Sequence, residues 1–382
     1  MKQIMPVPPP RAEVRVDLTA LEHNVALLAR TAATSGSAVM AVVKADGYGH
    51  GAVQVARAAL RAGATWLGAC SLPEAVTLRE AGITAPVLAW LDVPGEDVDL
   101  GVAAEVDVSV SSLRELHEVA AAARRAGTRG RVHLKIDTGL SRNGCTPDLW
   151  PELVAEAATT PEVEVVAVWS HLACADELGH PSIDAQAARF ATAHQQARAA
   201  GLNPLRHIAN SAAALTRPDL HFDLVRPGIA VYGLNPVPVE FDLRPVMSFH
   251  STVVLVKRVA AGEAVSYGQI WTAPRDTTLA LVPVGYADGV PRSLSGRMEV
   301  LLGGERRPVV GRICMDQLVV DCGDDVVREG DEVVLFGSGE RGEPTAREWA
   351  DSIGTIDYEI VTGMSRPRVR RTFTGTSALV LA

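Results

Sequence analysis

The sequence predicts an α/β fold in two parts, a (β/α)8 barrel followed by a mostly β C-terminal domain. Three observations predict it. Short β-rich runs alternate with Ala-rich helical stretches from about residue 14 to 242. Eight such runs fit in that span, the strand count of a closed barrel. Beyond Pro245 the texture changes to successive Val-, Leu- and Thr-rich runs with few helical patterns. An open doubly wound sheet also alternates, but the GxGxxG turn expected after its first strand is absent. The barrel is placed at 14–242 and the β domain at 243–382. Within the N-terminal segment 1–17, Glu13–Asp17 alternates like a strand and can join either part; packing with the β domain is the version carried forward.

Taken in order, Leu18–Ala33 reads as a helix ahead of the first barrel strand. The eight barrel strands are expected at Val39–Val43, Thr65–Ala69, Pro86–Trp90, Asp107–Val110, Arg131–Ile136, Glu164–Trp169, Leu205–Ile208 and Leu224–Tyr232. Helices are expected at Ala52–Ala62, Leu72–Ala81, Ser112–Ala126, Pro151–Ala158 and Ile183–Ala200. In the last of these, alanines and Phe190 fall on one side and Gln, Arg and His on the other. Several helices run into a glycine (Gly63, Gly82, Gly127, Gly201), where a left-handed cap ends a helix. The stretch Asn235-Pro-Val-Pro-Val reads as the linker. In the second part, strands are expected at Ser251–Val256, Thr278–Pro283, Glu299–Leu302, Leu318–Asp321 and Glu332–Phe336, with Gly303-Gly304 as a hairpin turn. Thr345–Ile353 is the one helix read there, with Thr345 as N-cap and Glu348 as its capping-box partner.

Composition excludes several classes. Hydrophobic residues make up 47 % of the 382, so a full core can form. A formal charge of −9 argues against a nucleic-acid partner, which needs a basic patch. No apolar run reaches the ~18 residues of a membrane span. Met1–Pro10 is proline-rich without an apolar signal core, so a cytoplasmic protein is expected. The five cysteines are scattered, with no metal spacing, so reduced thiols and no metal are expected.

The chemistry gathers at strand ends. In Ala41–Gly51 an apolar strand runs into Lys44, and a turn rich in Gly, with Tyr48 and His50, follows. A lysine in an apolar surround is destabilised as an ammonium, and a neutral amine is what Schiff-base chemistry needs. Lys135 and Arg142 end the fifth strand, His171 the sixth, Asn210 and Ser211 the seventh, and Arg226, Gly228 and Ile229 lie within the eighth or follow its start. Barrel enzymes carry their active sites at these ends, often with a phosphate after strands seven and eight. A lysine amine beside a phosphate cradle suggests an aldehyde cofactor bearing a phosphate, and pyridoxal 5′-phosphate (PLP) fits.

At this point the chain resembles the alanine racemase family over about residues 14 to 370. The resemblance rests on VVKADGYGHG at 42–51, KIDTGLSRNG at 135–144, WSHLACAD at 169–176, HIANSAA at 207–213, RPGIAVYG at 226–233, SYG at 266–268, GYADG at 285–289, GRICMDQ at 311–317 and the Tyr358 region. It implies a PLP-dependent isomerase that interconverts L- and D-alanine by two-base proton transfer through a PLP aldimine, supplying D-alanine for peptidoglycan. Lys44 would hold PLP and then serve as one base. Tyr267 would be the other, acting on the opposite face. Arg226 would pair with the pyridine nitrogen, and His171 would lie against the ring. Tyr48, Asn210, Ser211, the Gly228 and Ile229 backbone and Tyr358 would hold the cofactor, mostly at its phosphate. Arg142 and the Met315 N–H would take the substrate carboxylate, with Asp316 orienting neighbours. Lys135 would carry a carbamate bridging to Arg142. Tyr267 would reach the lysine site of a second subunit, which implies a homodimer with shared sites. Asp46-Gly47 stands where the family often has Asn-Ala, which predicts a looser loop. A PLP-dependent decarboxylase and a racemase of broader amino-acid range are the nearest alternatives.

Overall fold

The computed structural model describes residues 10–95 and 97–375. The proline-rich start of the chain, on which the reading of Met1–Pro10 rests, lies almost wholly outside them. The chain forms two compact units, one of residues 20–244 and one that joins the chain up to Thr19 with the chain from Pro245 onward.

The first unit contains a sheet of eight parallel strands, seven of them in sequence order from Ala38–Val42 to Leu205–His207. The eighth strand, Leu224–Val225, returns to pair with the first. Between the seventh and eighth strands there is no continuous ladder. Two backbone hydrogen bonds span the seam, from Asp223 N–H to Arg206 O (3.1 Å) and from Arg226 N–H to Ala209 O (2.9 Å). The expected strand Leu224–Tyr232 is therefore corrected to two residues. Pro227 has no N–H to give to a ladder, and the chain turns into a short 3-10 segment at Ile229–Tyr232. Met40, Leu88 and Leu224 form one buried cluster inside, flanked by Trp66 and Trp90. Gly68 makes room for this packing: a Cβ there would sit 2.7 Å from the Trp90 ring.

The surrounding helices follow the expected positions closely. Leu18–Ala33 is helical as read. Leu113–Ala126 is capped by the Ser112 hydroxyl, which accepts from Glu115 N–H (3.3 Å), and ends at Gly127 with φ +65°. Two short helices, Val98–Ala103 and Ser211–Thr216, were not anticipated.

The second unit is built on a nine-stranded sheet. Glu13–Asp17 lies inside it, antiparallel to Met247–Thr252 and parallel to Arg370–Thr374. Glu299–Leu302 and Glu305–Val310 form a hairpin closed by Gly303 and Gly304, at φ +67° and +84°. Positive φ at both positions is the type I′ requirement that only glycine meets freely. The expected strand Ser251–Val256 is corrected: it straddles the junction of Met247–Thr252 with Leu255–Val259. A second helix, Asp357–Gly363, follows Ala346–Ile353, so the reading of a single helix there is also corrected. Its seven residues are too few to show a clear helical period.

Thr345 and Glu348 form a reciprocal capping box, with Glu348 N–H to Thr345 Oγ1 at 3.2 Å and Thr345 N–H to Glu348 Oε2 at 2.6 Å. Thr345→Ala removes one half of the box. It should destabilise the β unit by about 1 kcal/mol, read as a lower urea midpoint in its unfolding transition.

Candidate active site

The first barrel strand ends at Val42, and the chain then does something unusual. Ala45, Asp46, Gly47, Tyr48 and Gly49 all have positive φ, between +51° and +82°. This is a left-handed turn, which for each non-glycine residue costs roughly 1–2 kcal/mol. Lys44 stands at its start, half-buried, with Nζ 5.9 Å from the ring centres of Tyr48 and Trp90. The turn is tied down from outside itself. Glu74 accepts from Ala45 N–H (2.8 Å) and from Cys70 N–H (2.7 Å), joining the ends of the first and second strands. Asp46 accepts from Ala52 N–H (2.9 Å) and so fixes the start of the next helix. The looser loop expected from Asp46-Gly47 is thus a left-handed turn with anchors on both sides.

Lys135 ends the fifth strand and is buried, 5 % exposed, with Nζ 4.3 Å from the Trp169 ring centre. Burial first, then the nearby Arg226 and Arg142, bring its amine down to about 8. His171 is pushed well below the ordinary histidine range, first by desolvation and then by Arg226, Arg142, Lys135 and Lys44 in turn. Four cations thus converge on one neutral imidazole.

Arg226 is 5 % exposed and, among the described residues, contacts no carboxylate. One Nη donates to Ser170 O (2.7 Å) and lies 3.2 Å from His171 Nδ1; the other donates to His207 Nδ1 (3.0 Å). The guanidinium also lies over Trp169, at 4.8 Å. Ser211 Oγ accepts from Gly228 N–H (2.8 Å) and Ala230 N–H (3.3 Å), which leaves its own proton to donate outward. Asn210, expected at the cofactor, uses its side-chain oxygen to cap the helix that begins at Ser211 (3.1 Å to Ala213 N–H). A Cβ on Gly228 would collide with the Tyr48 hydroxyl, so hydroxyl and bare backbone meet there. Tyr48 is braced by Tyr232, ring centres 4.8 Å apart. Two hydroxyls, a bare backbone and nearby cations fit a phosphate, and Lys44 adds an amine for an aldehyde. The residues present therefore fit PLP.

The loops that carry Arg142 and His171 are joined beneath the rim. Gln186 is 1 % exposed on the helix Pro181–Ala199. It donates to Thr138 Oγ1 (3.1 Å) and His171 O (3.0 Å) and accepts from Ala173 N–H (2.9 Å). Thr138 and Ser170 share a further hydrogen bond of 2.8 Å. Arg142 itself is exposed, on a loop shaped by Asp137, which accepts from Gly139 and Ser141 N–H. Sequence reasoning missed Glu74 and Gln186. Each contributes through backbone partners that no motif spacing encodes.

The remaining expected residues belong to the β unit. Tyr267 is 73 % exposed at the tip of the small hairpin Ala264–Val265/Trp271–Thr272. Its loop is held by Ser266 Oγ donating to Arg312 O (2.7 Å). Met315, 52 % exposed, and Asp316 follow in the same segment, and Asp316 pairs with Arg368 at 2.6 Å. Met315 O accepts from Ala287 N–H (3.0 Å). Tyr358 lies half-buried in the short helix Asp357–Gly363. No helix among the described residues is long and apolar enough to cross a membrane.

Two family models match, the alanine racemase N-terminal domain over residues 16–236 and the alanine racemase C-terminal domain over 246–373. The alanine racemase of Salinispora arenicola is 57 % identical over 372 residues, covering 96 % of this chain and 99 % of that protein. That of Mycobacterium tuberculosis is 52 % identical over 381 residues, covering 98 % of each. Among solved structures, the alanine racemase of Streptomyces lavendulae superposes with a TM-score of 0.93 at 49 % identity, covering 97 % of this chain and 98 % of that one.

Gln186→Leu keeps the side chain's bulk but strands His171 O and Ala173 N–H and removes one of the hydrogen bonds at Thr138 Oγ1. It should cost about 2 kcal/mol of stability and speed amide exchange at Ala173, read by hydrogen–deuterium exchange. Unchanged exchange there would mean that other contacts hold the loop.

Proposed function

The chain belongs to the alanine racemase family, and on that premise we propose that it interconverts L- and D-alanine with PLP as cofactor. The observation that carries this reading is the rim itself: Lys44 beside Tyr48, the Tyr48 and Ser211 hydroxyls against the Gly228 backbone, and Arg226 3.2 Å from His171 Nδ1, with Lys135 and Arg142 close enough to His171 to oppose its protonation. Such a rim suits two anions at once, a phosphate and a substrate carboxylate. PLP, when bound, withdraws electrons from the substrate Cα and so acidifies its proton.

The protein's own residues do the rest. Lys44 holds the cofactor and then takes or returns the Cα proton on one face. Tyr267 does the same on the other; a phenol can do so near neutral pH only where its surroundings favour the phenolate. Arg226 would pair with the ring nitrogen and, keeping its proton, would leave that nitrogen unprotonated. That would limit how far charge is drawn into the ring and would disfavour transamination. His171 would lie against the ring. Tyr48, Ser211, the Gly228 and Ile229 backbone and Tyr358 hold the phosphate, with Asn210 fixing the Ser211 turn. Arg142 and Met315 N–H take the carboxylate, and Asp316 orients that segment.

Tyr267 is proposed to serve the lysine site of a second copy, in a homodimer with shared sites. The exposure of Tyr267, Met315 and Tyr286 on the β unit supports this, since grouped exposed side chains of this size mark an interaction surface. The setting proposed is the cytoplasm, where the product D-alanine serves peptidoglycan synthesis.

L-Alanine incubated with the PLP-loaded protein in deuterium oxide should lose optical activity and gain deuterium at Cα, read by polarimetry and NMR. Lys44→Ala should abolish both. Mixed Lys44→Ala and Tyr267→Phe chains should regain activity on subunit exchange. Retention of optical activity by the parent protein would overturn the reading.

Lys135 is proposed to carry a carbamate. Its amine, at about 8, is available as the neutral nucleophile, and a carbamate would place a negative charge beside Arg142. The sign is set by the lowered value: the neutral amine grows as pH rises through 8 and falls away below it. A carbamate carbon resonance should therefore appear with 13C-bicarbonate at pH 8–9 and weaken toward pH 6. Its absence from spectra of the parent at pH 8–9, or its persistence in Lys135→Ala, would count against the assignment.

A further inference from the structure

A row of buried polar groups runs through the barrel interior beneath Arg226. Asp107 is the first residue of the fourth strand, Asp107–Val110, and His133 lies within the fifth, Gly130–Lys135. His207 is the last residue of the seventh strand, Leu205–His207, and Arg226 follows the eighth. The contacts are continuous: Asp107 Oδ2 to His133 Nε2 at 3.1 Å, His133 Nδ1 to His207 Nε2 at 2.9 Å, and His207 Nδ1 to Arg226 Nη1 at 3.0 Å. The two imidazoles are fully buried and the carboxylate is 1 % exposed.

Donor chemistry allows one order of protons. A guanidinium has only donors, so His207 Nδ1 must accept. His207 Nε2 then carries the proton and donates to His133 Nδ1. His133 Nε2 in turn carries its proton and donates to the Asp107 carboxylate. Both rings are therefore neutral in the Nε2–H form. Desolvation, followed by Arg226, holds His207 well below its usual range, in agreement.

We propose that Asp107, His133 and His207 are positioning residues for Arg226, a relay of fixed polarity that brings a distant counter-charge to a guanidinium with no carboxylate of its own. Its part in the reaction rests on the reading of Arg226 given above. Hydrogen bonds in a row polarise one another in a low-dielectric interior. Asp107 thereby strengthens His207 Nδ1 as an acceptor, steadies the charge on Arg226 and fixes the plane in which its remaining N–H groups lie. Trp169 completes the seat: its indole stacks on His207 (5.5 Å, 16°) and donates to Ser109 Oγ (3.1 Å).

The test uses the full-length PLP-loaded protein with 15N-labelled histidine. At neutral pH, His133 and His207 should both give the neutral Nε2–H signature, assigned by their disappearance in His133→Asn and His207→Asn. An imidazolium or an Nδ1–H tautomer at either position overturns the relay. Asp107→Asn keeps an acceptor for His133 but removes the charge. It should leave both tautomers in place, shift the absorbance of the bound cofactor, and lower kcat about tenfold with KM for alanine within about twofold. Arg131→Gln removes the outer ion pairs to Asp107, at 2.6 Å, and to Glu164, at 3.3 Å, and should stay within about twofold of the parent in kcat. Equal losses in the two variants, or an unchanged Asp107→Asn, overturn the proposal. A parent that binds PLP but does not racemise alanine overturns the reading of Arg226's task instead, and the histidine spectra then judge the relay by itself.

Discussion

Like charges crowded at one end of a barrel are the constraint around which the first unit is organised. Lys44, Lys135, Arg142 and Arg226 all raise the cost of a proton on His171. Such a cluster survives folding only if the protein spreads or answers the charge. It does so in three ways. Lys135 has a weakened hold on its proton. The face of Trp169 serves two cations, Lys135 and Arg226. Arg226 gives its N–H groups to carbonyls and imidazoles. What remains uncompensated is an appetite for anions, which is the binding energy the site offers.

Strain is the second organising fact. The left-handed turn after Lys44 includes alanine, aspartate and tyrosine, none of which prefers that geometry. Such strain persists only where the surroundings over-determine it. Here Glu74 clamps two strand ends, Asp46 fixes the next helix and Tyr232 backs Tyr48. The turn follows the lysine directly, and it sets the Tyr48 hydroxyl against Gly228.

Much of this was legible in the sequence where the signal was periodic or local. Seven barrel strands and six helices fall within a few residues of their expected places, because alternation and helical period report burial directly. The Gly303-Gly304 turn and the Thr345 cap were read from chemistry confined to a few neighbours. The failures share a cause. Leu224–Tyr232 is apolar enough for a strand, yet Pro227 and the partner geometry end it at Val225. Glu74 and Gln186 look like ordinary helix residues, and only folding brings their backbone partners to them. His133 and His207 alternate with apolar residues as a strand demands, but nothing in the linear order says that they face each other. The left-handed turn was announced by its glycines and hidden by the residues among them.

The strand Glu13–Asp17 has a consequence for synthesis. It pairs with Met247–Thr252 and with Arg370–Thr374, so in chain order the barrel residues come between two stretches of one sheet, like an insertion. On the ribosome the first strand of the β unit emerges before any of its neighbours exist. It must wait while more than 200 residues of barrel are translated and given time to fold. Its last neighbour appears only with the final described strand. The exposed edges of Glu13–Asp17 are unpaired throughout that interval. Glu13 and Arg15, alternating with its valines, are charges of the kind that discourage an unpaired strand from joining a wrong partner.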